Sequence, residues 1–373
     1  MAHNRESVIN VNPSVPLARR SNTLSSSLGL GEKLFASSDE RRFVNALEQG
    51  LALVEEGLLG AMVFADEIAD VTGRYLLEAG GKRVRPVLTL LTAQLGEGNN
   101  DEVIRAAQAI EITHVASLYH DDVMDDAPSR RGVPSAQNVW GNSVAILTGD
   151  LLFARASRIG AGLGERILVL QAETFERLCL GQLHETIGPR ADEDPIEHYI
   201  QVLADKTGSL ISAAAQVGVI FSNAPEQYRP AVAEFGEKIG IAFQLIDDVI
   251  DLAGETDDTG KTPGTDLRAG VATLPLLYLR RLAQTDQDAD DLLRRIERDV
   301  TTAYYGDAVS ESAAELDLTA AIAELRSHAV TEQTLAEAHR WSREAVEALA
   351  PLPKGPVKKA LTRFAETIVE RSK

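Results

Sequence analysis

The sequence is poor in cysteine and in basic residues, and it lacks long apolar runs. Its 373 residues include one cysteine, Cys179, which excludes an internal disulfide and fits a reducing compartment. No stretch reaches the roughly 18 consecutive apolar residues of a transmembrane helix. Acidic residues outnumber basic ones by 56 to 37, and the net charge of −19 argues against nucleic acid as a partner. We therefore expect a cytoplasmic protein with no transmembrane segment.

Aromatic residues are also scarce, and their scarcity indicates the fold class. They make up only 5% of the chain, and alanine and leucine dominate without any alternating β-branched pattern, which predicts an all-α fold. No polar linker divides residues 41–373, so we expect one helical domain there. Residues 1–40 lack helical periodicity, which predicts a disordered tail or, as the alternative, an acid-poor transit peptide. Loops are expected near residues 96–101, 188–195, 222–230 and 253–270, with a break at 350–356.

Two aspartate clusters of the same form end two helical runs of the sequence. Residues 121–125 read DDVMD, and residues 247–251 read DDVID. On a helix, positions i and i+4 share a face, so each cluster places like charges side by side and favours a bound cation. Oxygen ligands suit Mg²⁺, which fills its remaining coordination positions with water and substrate phosphate. The predicted metal-ligating residues are Asp121, Asp122, Asp125, Asp247, Asp248 and Asp251.

The stretches before the two clusters indicate that the carboxylates face the interior. A solvated helix end would explain a single cluster, but both copies follow apolar helical stretches. Phe243, Asp247 and Asp251 lie at i, i+4 and i+8. We therefore expect the carboxylates to line a cavity that accepts a diphosphate. A matching stripe with spacings of 4, 3, 4, 3 and 4 is formed by Val103, Ala107, Ile110, His114, Ser117 and Asp121.

Basic residues suited to a diphosphate lie in four short segments. Residues 80–86 read GGKRVRP, Arg130 and Arg131 follow the first aspartate cluster, and Lys206 and Lys261 lie farther along the chain. Arginine binds phosphate oxygens bidentately, whereas lysine acts as a point charge. An exposed lysine or arginine is usually only solvated. The prediction therefore depends on their coincidence with two metal-type clusters.

A series of motifs occurs in the order typical of one known family. The motifs are GGKRVRP at 80–86, His114, DDVMD followed by RRG, Gly149–Asp150, Gly181–Gln182, Lys206–Thr207, FQLIDDVID at 243–251 and GKTPGTDLRAGVATLP at 260–275. In these features the chain resembles the trans-isoprenyl diphosphate synthase (polyprenyl synthetase) family, densely over residues 40 to 280. The resemblance implies a single large helical bundle around a central cavity, the isoprenoid synthase type of fold.

The resemblance also implies a reaction, a cofactor and an assembly. Members condense isopentenyl diphosphate with an allylic diphosphate, head to tail and trans, through a Mg²⁺-assisted allylic carbocation. Three Mg²⁺ ions are expected with substrate bound, as are a homodimer and a transient membrane contact during product release. The implied catalytic residues are Asp121, Asp125, Asp247, Lys206, Thr207 and Gln244.

The same resemblance assigns polar residues to the metal, to each of the two diphosphates and to the path of the cation. Asp122, Asp248 and Asp251 are implied in supporting or water-mediated roles at the metal. The residues implied to hold isopentenyl diphosphate are Lys82, Arg85, His114 and Arg131. Those implied for the allylic diphosphate are Arg130, Lys206 and Lys261. The oxygen dipoles along the cationic path are assigned to Gln182, Lys206, Thr207 and Gln244.

Three positions leave alternatives open. A histidine on an apolar face is usually a satisfied core residue, and only the place of His114 seven residues before Asp121 favours a ligand role. Glu185 is either an acidic partner of Lys206 or an ordinary helix residue. The family commonly has a lysine where this chain has Val271. If that lysine contacts substrate diphosphate, the contact is missing here.

Product length is predicted from the helix before the first cluster. Short-chain members of the family place aromatic residues four or five positions before the first aspartate, where this chain has Ser117 and Ala116, and the next turn offers Thr113. Without an aromatic plug on this wall, we expect a long-chain product of the kind that supplies a quinone side chain. The alternatives are a farnesyl or geranylgeranyl diphosphate synthase, a class I terpene cyclase and a regulatory subunit of a heteromeric synthase. The second DDxxD cluster opposes the cyclase, and the retention of both clusters opposes the regulatory subunit.

Overall fold

Helices account for nearly all of the secondary structure. This computed structural model describes residues 38–253, 263–305 and 308–371, so Lys261 and residues 1–37 lie outside the described residues. The helices are α1 (Ser38–Ala61), α2 (Glu67–Glu78), α3 (Val84–Ala93), α4 (Asp101–Met124), α5 (Ala136–Trp140), α6 (Asn142–Ala161), α7 (Glu165–Ile187), α8 (Pro195–Leu203), α9 (Ser209–Phe221), α10 (Arg229–Ala253), α11 (Thr265–Arg268), α12 (Leu274–Leu282), α13 (Gln287–Tyr305), α14 (Ala308–Ser327), α15 (Ala329–Ala348) and α16 (Pro356–Glu370). The all-α class predicted from the sequence is confirmed.

Shorter elements lie between the helices, among them a 3₁₀ turn, Glu226–Tyr228, directly before α10. Strands β1 (Ser129–Arg130) and β2 (Val133–Pro134) form an antiparallel hairpin, and they are the only strands in the described part of the chain. A π-helical turn, Ala204–Gly208, links α8 to α9. The hairpin was not predicted from the sequence, because each strand has only two residues and shows no period-2 pattern.

The helices begin and end where local side chains favour it. The Asn100 side chain accepts a hydrogen bond from Val103 N at the start of α4 (2.9 Å), and Asp66 and Asp194 cap α2 and α8 in the same way. The loops predicted near residues 96–101, 188–195 and 222–230 follow the ends of α3, α7 and α9 at Ala93, Ile187 and Phe221. In the described part of the fourth predicted loop, 253–270, the prediction missed the one-turn helix α11, because four residues are too few to show helical periodicity. None of the described helices is long and apolar enough to cross a membrane.

The chain divides into two compact units. The first contains the described residues up to Thr174 together with Ala213–Ala233 and Leu352–Leu361. The second contains Phe175–Ser212, Glu234–Pro351 and the chain from Thr362 onward. The first aspartate cluster therefore belongs to the first unit, and the second cluster belongs to the second unit.

Helix α4 supplies a long buried stretch to the core of the first unit. It packs against α1, α3, α5 and α6, and every residue from 106 to 113 is buried. Its Tyr119 is completely buried, and the hydroxyl donates to Thr72 O (2.5 Å) and accepts from Leu76 N (3.2 Å) on α2. Helix α6 approaches closely at Gly149, where an added Cβ would lie 2.3 Å from His120 Nε2. The end of α4 that carries the aspartates is therefore held from several sides.

The second unit is built around an apolar core that extends from α10 to α15. Its buried members include Leu252, Leu267, Leu276, Leu279, Leu292, Ile296, Leu318 and Ile322. On α10, Gly236 and Gly240 allow a close helix approach, since added Cβ atoms would lie 2.6 Å from Ser212 Cα and 2.7 Å from Gly208 Cα. This packing fixes α10 against the π-helical turn and α9. It thereby positions the second aspartate cluster at the end of α10.

Candidate active site

The first aspartate cluster lies where helix α4 ends, and its three carboxylates differ in exposure. Asp125 is the C-terminal cap, and its N–H donates to Asp121 O (2.8 Å). Asp121 is half-buried and Asp125 is exposed, whereas Asp122 is completely buried. The carboxylates of Asp121 and Asp125 are therefore the ones that a bound cation can reach.

Asp122 is tied to the hairpin that follows the helix. Nε and Nη2 of Arg130 both lie 2.6 Å from its Oδ1. The Asp122 carbonyl accepts from Gln137 Nε2 (2.7 Å) and from Ala127 N (2.9 Å). Burial raises the pKa of Asp122, and the ion pair with Arg130 opposes that rise. Asp122 thus anchors β1 to α4, and its supporting role at the metal stays a prediction.

A basic cluster surrounds His114 two turns before Asp121. Burial and the neighbouring Arg85, Arg131, Arg83 and Arg130 hold the pKa of His114 well below its usual value. Burial also lowers the pKa of Arg131 to about 10. Arg131 Nη1 donates to Leu76 O (2.6 Å), and Arg85 Nε is buried with no hydrogen-bond partner among the residues that the structure describes. The cluster therefore combines a neutral imidazole with guanidinium groups, which suits an anionic ligand.

The aspartates of the second cluster also differ in their exposure and in their contacts. Asp247 retains 42% side-chain exposure, and its Oδ1 lies 3.4 Å from Arg371 Nη2. The guanidinium of Arg371 also lies over the ring of Phe243, 4.9 Å from its centroid. The last described residue of the chain therefore contacts the first aspartate of this cluster.

Asp248 and Asp251 are held by hydrogen bonds within the second unit. Asp248 is buried and accepts from Tyr199 Oη (3.0 and 2.8 Å) and from Leu274 N (3.3 Å). Burial raises the pKa of Asp248 to about 8. Asp251 accepts from the backbone N–H groups of Thr265 and Asp266 (3.2 Å each) at the start of α11. The Asp248 carboxylate is thus enclosed, and that of Asp251 holds the start of α11.

Lys206 lies in the π-helical turn, close to α7. An added Cβ at Gly181 would lie 2.7 Å from Lys206 N, so a glycine is required for this approach. Lys206 Nζ forms an ion pair with Glu185, which identifies Glu185 as the acidic partner of Lys206. Within the described part of the chain, Gln182 Oε1 is buried without a hydrogen-bond partner. A π-helical turn at this position is typical of functional sites.

The remaining predicted residues are placed as follows. Lys82 is exposed, and Thr207 and Gln244 are half-buried. Val271, which replaces the lysine common in the family, is 40% exposed.

Among the residues that the structure describes, no three His, Cys, Asp or Glu side chains form a complete ligand set for a metal ion. Any ion at these carboxylates would therefore need substrate or water oxygens as well, which is usual for Mg²⁺.

Four residues with evident roles were not predicted from the sequence. They are Arg83, Glu111, Tyr199 and Arg371, each of which contacts a predicted site residue or its loop. Glu111 had a visible signal, since a carboxylate among apolar residues one turn before His114 is unusual. Tyr199 and Arg371 had none, because their partners lie 49 or more positions away in the chain.

Comparison with known proteins places this geometry in a family. A profile of the polyprenyl synthetase family matches residues 66–307. The chain belongs to this family. It is similar to the nonaprenyl diphosphate synthase of Mycobacterium tuberculosis, with 44% identity over 71% of this chain and 77% of the relative.

Solved structures agree with that assignment. A decaprenyl diphosphate synthase from Rhodobacter capsulatus has a TM-score of 0.76 at 31% identity, covering 89% of this chain and 99% of that chain. A polyprenyl synthase from Caulobacter crescentus CB15, complexed with calcium and isoprenyl diphosphate, has a TM-score of 0.76 at 30% identity, covering 91% and 99%. The family and the fold class predicted from the motifs are thus confirmed, and the chain is a trans-prenyltransferase.

We expect His114 to remain neutral at pH 7. Because its folded pKa is lowered, its contribution to the free energy of unfolding is complete above about pH 6.5 and is lost as the pH falls through the folded value. An NMR titration should show no charging of His114 between pH 6 and 8. His114→Gln, which keeps a neutral hydrogen-bonding group, should retain the KM for isopentenyl diphosphate within about fivefold. His114→Ala should raise it further.

The matched control for this prediction is His120→Gln on the same helix, where the imidazole bonds Ile146 O (3.0 Å). This variant should leave the KM for isopentenyl diphosphate unchanged. An imidazolium signal from His114 near neutral pH would contradict the prediction.

Proposed function

We propose that this enzyme condenses isopentenyl diphosphate with an allylic diphosphate, head to tail and trans, and repeats the step to make a long-chain polyprenyl diphosphate. One observation carries the proposal. Helix α4 presents an anion-binding cluster around His114 and, seven residues or about 10 Å farther along its axis, the reachable carboxylate of Asp121, which Asp125 follows one turn later. A single rigid helix thereby separates a site for one diphosphate from a site for metal-bound diphosphate.

The carboxylates fit a divalent cation. Asp121 and Asp125 in the first unit, and Asp247 in the second, have reachable side chains, and all are hard oxygen ligands of the kind that Mg²⁺ prefers. When bound, Mg²⁺ supplies positive charge that stabilises a leaving diphosphate. Asp122 and Asp248 are buried and hydrogen-bonded, so their role is to hold the helix ends that carry the reachable aspartates. The number of ions expected with substrate bound is three.

The basic residues form two groups, and we assign one group to each substrate. Arg85, Arg131 and the neutral His114 hold isopentenyl diphosphate, with exposed Lys82 at the same loop. The ligands that the family resemblance implies for the allylic diphosphate are Arg130, Lys206 and Lys261, of which Lys206 is held in place by Glu185. Gln182 supports this arrangement, because its Oε1 is buried with no hydrogen-bond partner among the described residues, and we infer that this oxygen dipole faces developing positive charge.

The chemistry follows from these positions. The carbon–oxygen bond of the allylic diphosphate breaks, and both electrons leave with the diphosphate. The double bond of isopentenyl diphosphate supplies the electron pair for the new carbon–carbon bond. Dipoles of Gln182, Thr207 and Gln244 stabilise the allylic cation. Released diphosphate accepts the proton that restores the double bond, so no side-chain base is needed.

The wall of α4 favours a long product that supplies a quinone side chain. Neither Ser117 nor Ala116 is aromatic, and Thr113 continues the wall one turn earlier. Ser117 is half-buried, whereas Ala116 is completely buried and its carbonyl lies near Gly149 of α6. Ser117 is therefore the position of this wall that a growing chain can contact.

Exposed apolar faces on α6 and α7 favour a homodimer. In the first unit, Leu147 and Leu151 lie one turn apart on α6 and are 61% and 42% exposed. In the second unit, Leu180, Leu183 and Ile187 follow a helical stripe on α7, with Ile187 71% exposed. Contiguous apolar faces of this kind are usually covered by a partner, and a second copy of the chain supplies the matching surface. Contact of the product with a membrane is transient in this proposal.

Removing a reachable carboxylate should abolish catalysis. We expect Asp121→Asn and Asp247→Asn to lower kcat at least about a hundredfold, because each removes charge that binds the cation. Asp101→Asn, in the exposed first turn of α4, is the control and should retain activity. Activity should also require added Mg²⁺ after treatment with a chelator. Turnover of radiolabelled isopentenyl diphosphate with an allylic primer is the measurement, and a tenth or more of wild-type activity in either variant would refute the assignment.

Bulk at Ser117 should shorten the product. Ser117→Phe adds an aromatic ring to the half-buried wall, so chain growth should stop earlier than in the wild type. The control is Ser327→Phe, since both hydroxyls bond a carbonyl of their own helix but Ser327 is exposed in the second unit. Chromatography of dephosphorylated products gives the lengths. A wild-type product of about four isoprene units or fewer would refute the long-chain proposal, and an unchanged length in Ser117→Phe would exclude this wall.

The dimer can be tested with a matched pair of leucines. Leu183 on α7 and Leu53 on α1 are 50% and 52% exposed. We expect wild-type protein to have about twice the chain mass of 40.2 kDa by light scattering. Leu183→Glu should dissociate it because a charge enters the apolar face, whereas Leu53→Glu should not. A monomeric wild type would contradict the proposal.

A further inference from the structure

Arg83 is the central residue of the GGKRVRP segment, yet it faces into the protein. It is the N-cap of α3, it has a left-handed backbone (φ 50°), and it is 6% exposed. Its neighbours in the segment, Lys82 and Arg85, are more exposed. A non-glycine residue with positive φ is uncommon, so surrounding contacts must hold it there.

Those contacts occupy every N–H donor of the guanidinium. Nε donates to Glu55 Oε1 (2.5 Å), and Nη2 donates to Glu55 Oε2 (3.4 Å) and Leu77 O (3.2 Å). Nη1 donates to Gly80 O (3.1 Å) and Glu111 Oε1 (3.3 Å). Because arginine has five such donors, none is left for a substrate.

The acceptors come from four different elements. Glu55 belongs to α1, Leu77 to α2, Gly80 to the loop and Glu111 to α4, where it is only 2% exposed. The loop itself leaves little freedom, since an added Cβ at Gly81 would lie 2.7 Å from Arg83 Nη1 and 3.0 Å from Arg131 Nη2. Arg83 therefore fastens the loop between α2 and α3 to helices α1, α2 and α4.

We propose that Arg83, held by Glu55 and Glu111, is a positioning residue that presents Lys82 and Arg85 to isopentenyl diphosphate. Glu111 has a second part in this arrangement, because its buried carboxylate is a counter-charge for Arg85 and Arg131 as well as for Arg83. The inference rests on the proposed function, since it assumes that this loop binds that substrate. The inference predicts a change in the KM for isopentenyl diphosphate alone, whereas a general structural role of Arg83 would change the KM values of both substrates.

The test compares Arg83→Gln, Arg83→Lys and Glu55→Gln with Arg74→Gln in the full-length chain. Arg74 on α2 is also paired with acidic residues, Asp70 and Glu78, but its side chain is 37% exposed and does not reach the loop. Steady-state kinetics would give separate KM values for isopentenyl diphosphate and for the allylic primer. Thermal unfolding and circular dichroism would report folding.

We expect Arg83→Gln and Glu55→Gln to raise the KM for isopentenyl diphosphate about tenfold or more, with the allylic KM changed less than about twofold. Arg83→Lys keeps the charge but not the planar fork, so it should not restore the wild-type KM. The double variant Arg83→Gln with Glu55→Gln should have no higher KM for isopentenyl diphosphate than Arg83→Gln alone. Both changes remove the same ion pair between Arg83 and Glu55, so the second change has nothing further to break. Arg74→Gln should match the wild type.

The outcomes separate this inference from the proposed function. An inactive wild type would overturn the proposed function. An active wild type with equal changes in both KM values, full rescue by Arg83→Lys, or a loss of thermal stability without a KM change would overturn the role of Arg83. If Arg83→Gln does not fold, Glu55→Gln decides, because the Glu55 side chain is 35% exposed and the change leaves its shape intact.

Discussion

A charge that is buried inside a protein needs a counter-charge there. The candidate site of this enzyme is organised by that constraint. Helix α4 carries Glu111 and Asp122 in its buried part, and their partners are Arg83 and Arg130. Leaving either partner unpaired would be costly, because a buried charge without compensation destabilises the fold by several kcal/mol. Both arginines come from segments outside the helix. The pairs that make the buried charges tolerable therefore also fix the loop and the hairpin that carry the basic residues proposed to bind diphosphate.

The two aspartate clusters have nearly the same letters but differ in what holds them. In each cluster the second aspartate is buried and hydrogen-bonded, Asp122 by Arg130 and Asp248 by Tyr199. The last aspartate differs, since Asp125 is exposed whereas Asp251 caps α11. The first cluster thus offers two reachable carboxylates and the second offers chiefly one. Such a set matches a cation that takes few protein ligands and relies on substrate oxygens for the rest.

Close backbone approaches set the remaining positions in each unit. In the first unit, Gly149 brings α6 against the aspartate end of α4. In the second, Gly181 admits the backbone of Lys206, and Gly240 brings α10 against Gly208. Each contact would be blocked by a single Cβ, because the nearest atoms lie within 3.0 Å of where it would be. Side chains such as Lys206 and Glu185 can then meet at ion-pair distance without long, flexible loops.

The sequence by itself determined the helical class, the ends of the main helices and the two helices that carry aspartates, because periodicity, caps and motif order are local properties of the chain. It also singled out His114 and the arginines of the 80–86 and 130–131 segments, which the structure groups around that histidine, while their binding roles stay predictions. Only the tertiary structure decided which aspartates are reachable, that Glu185 pairs with Lys206, and that Arg83 has no donor left for substrate. Burial and pairing depend on residues far apart in the chain, such as Arg371 beside Asp247, and no local pattern records them.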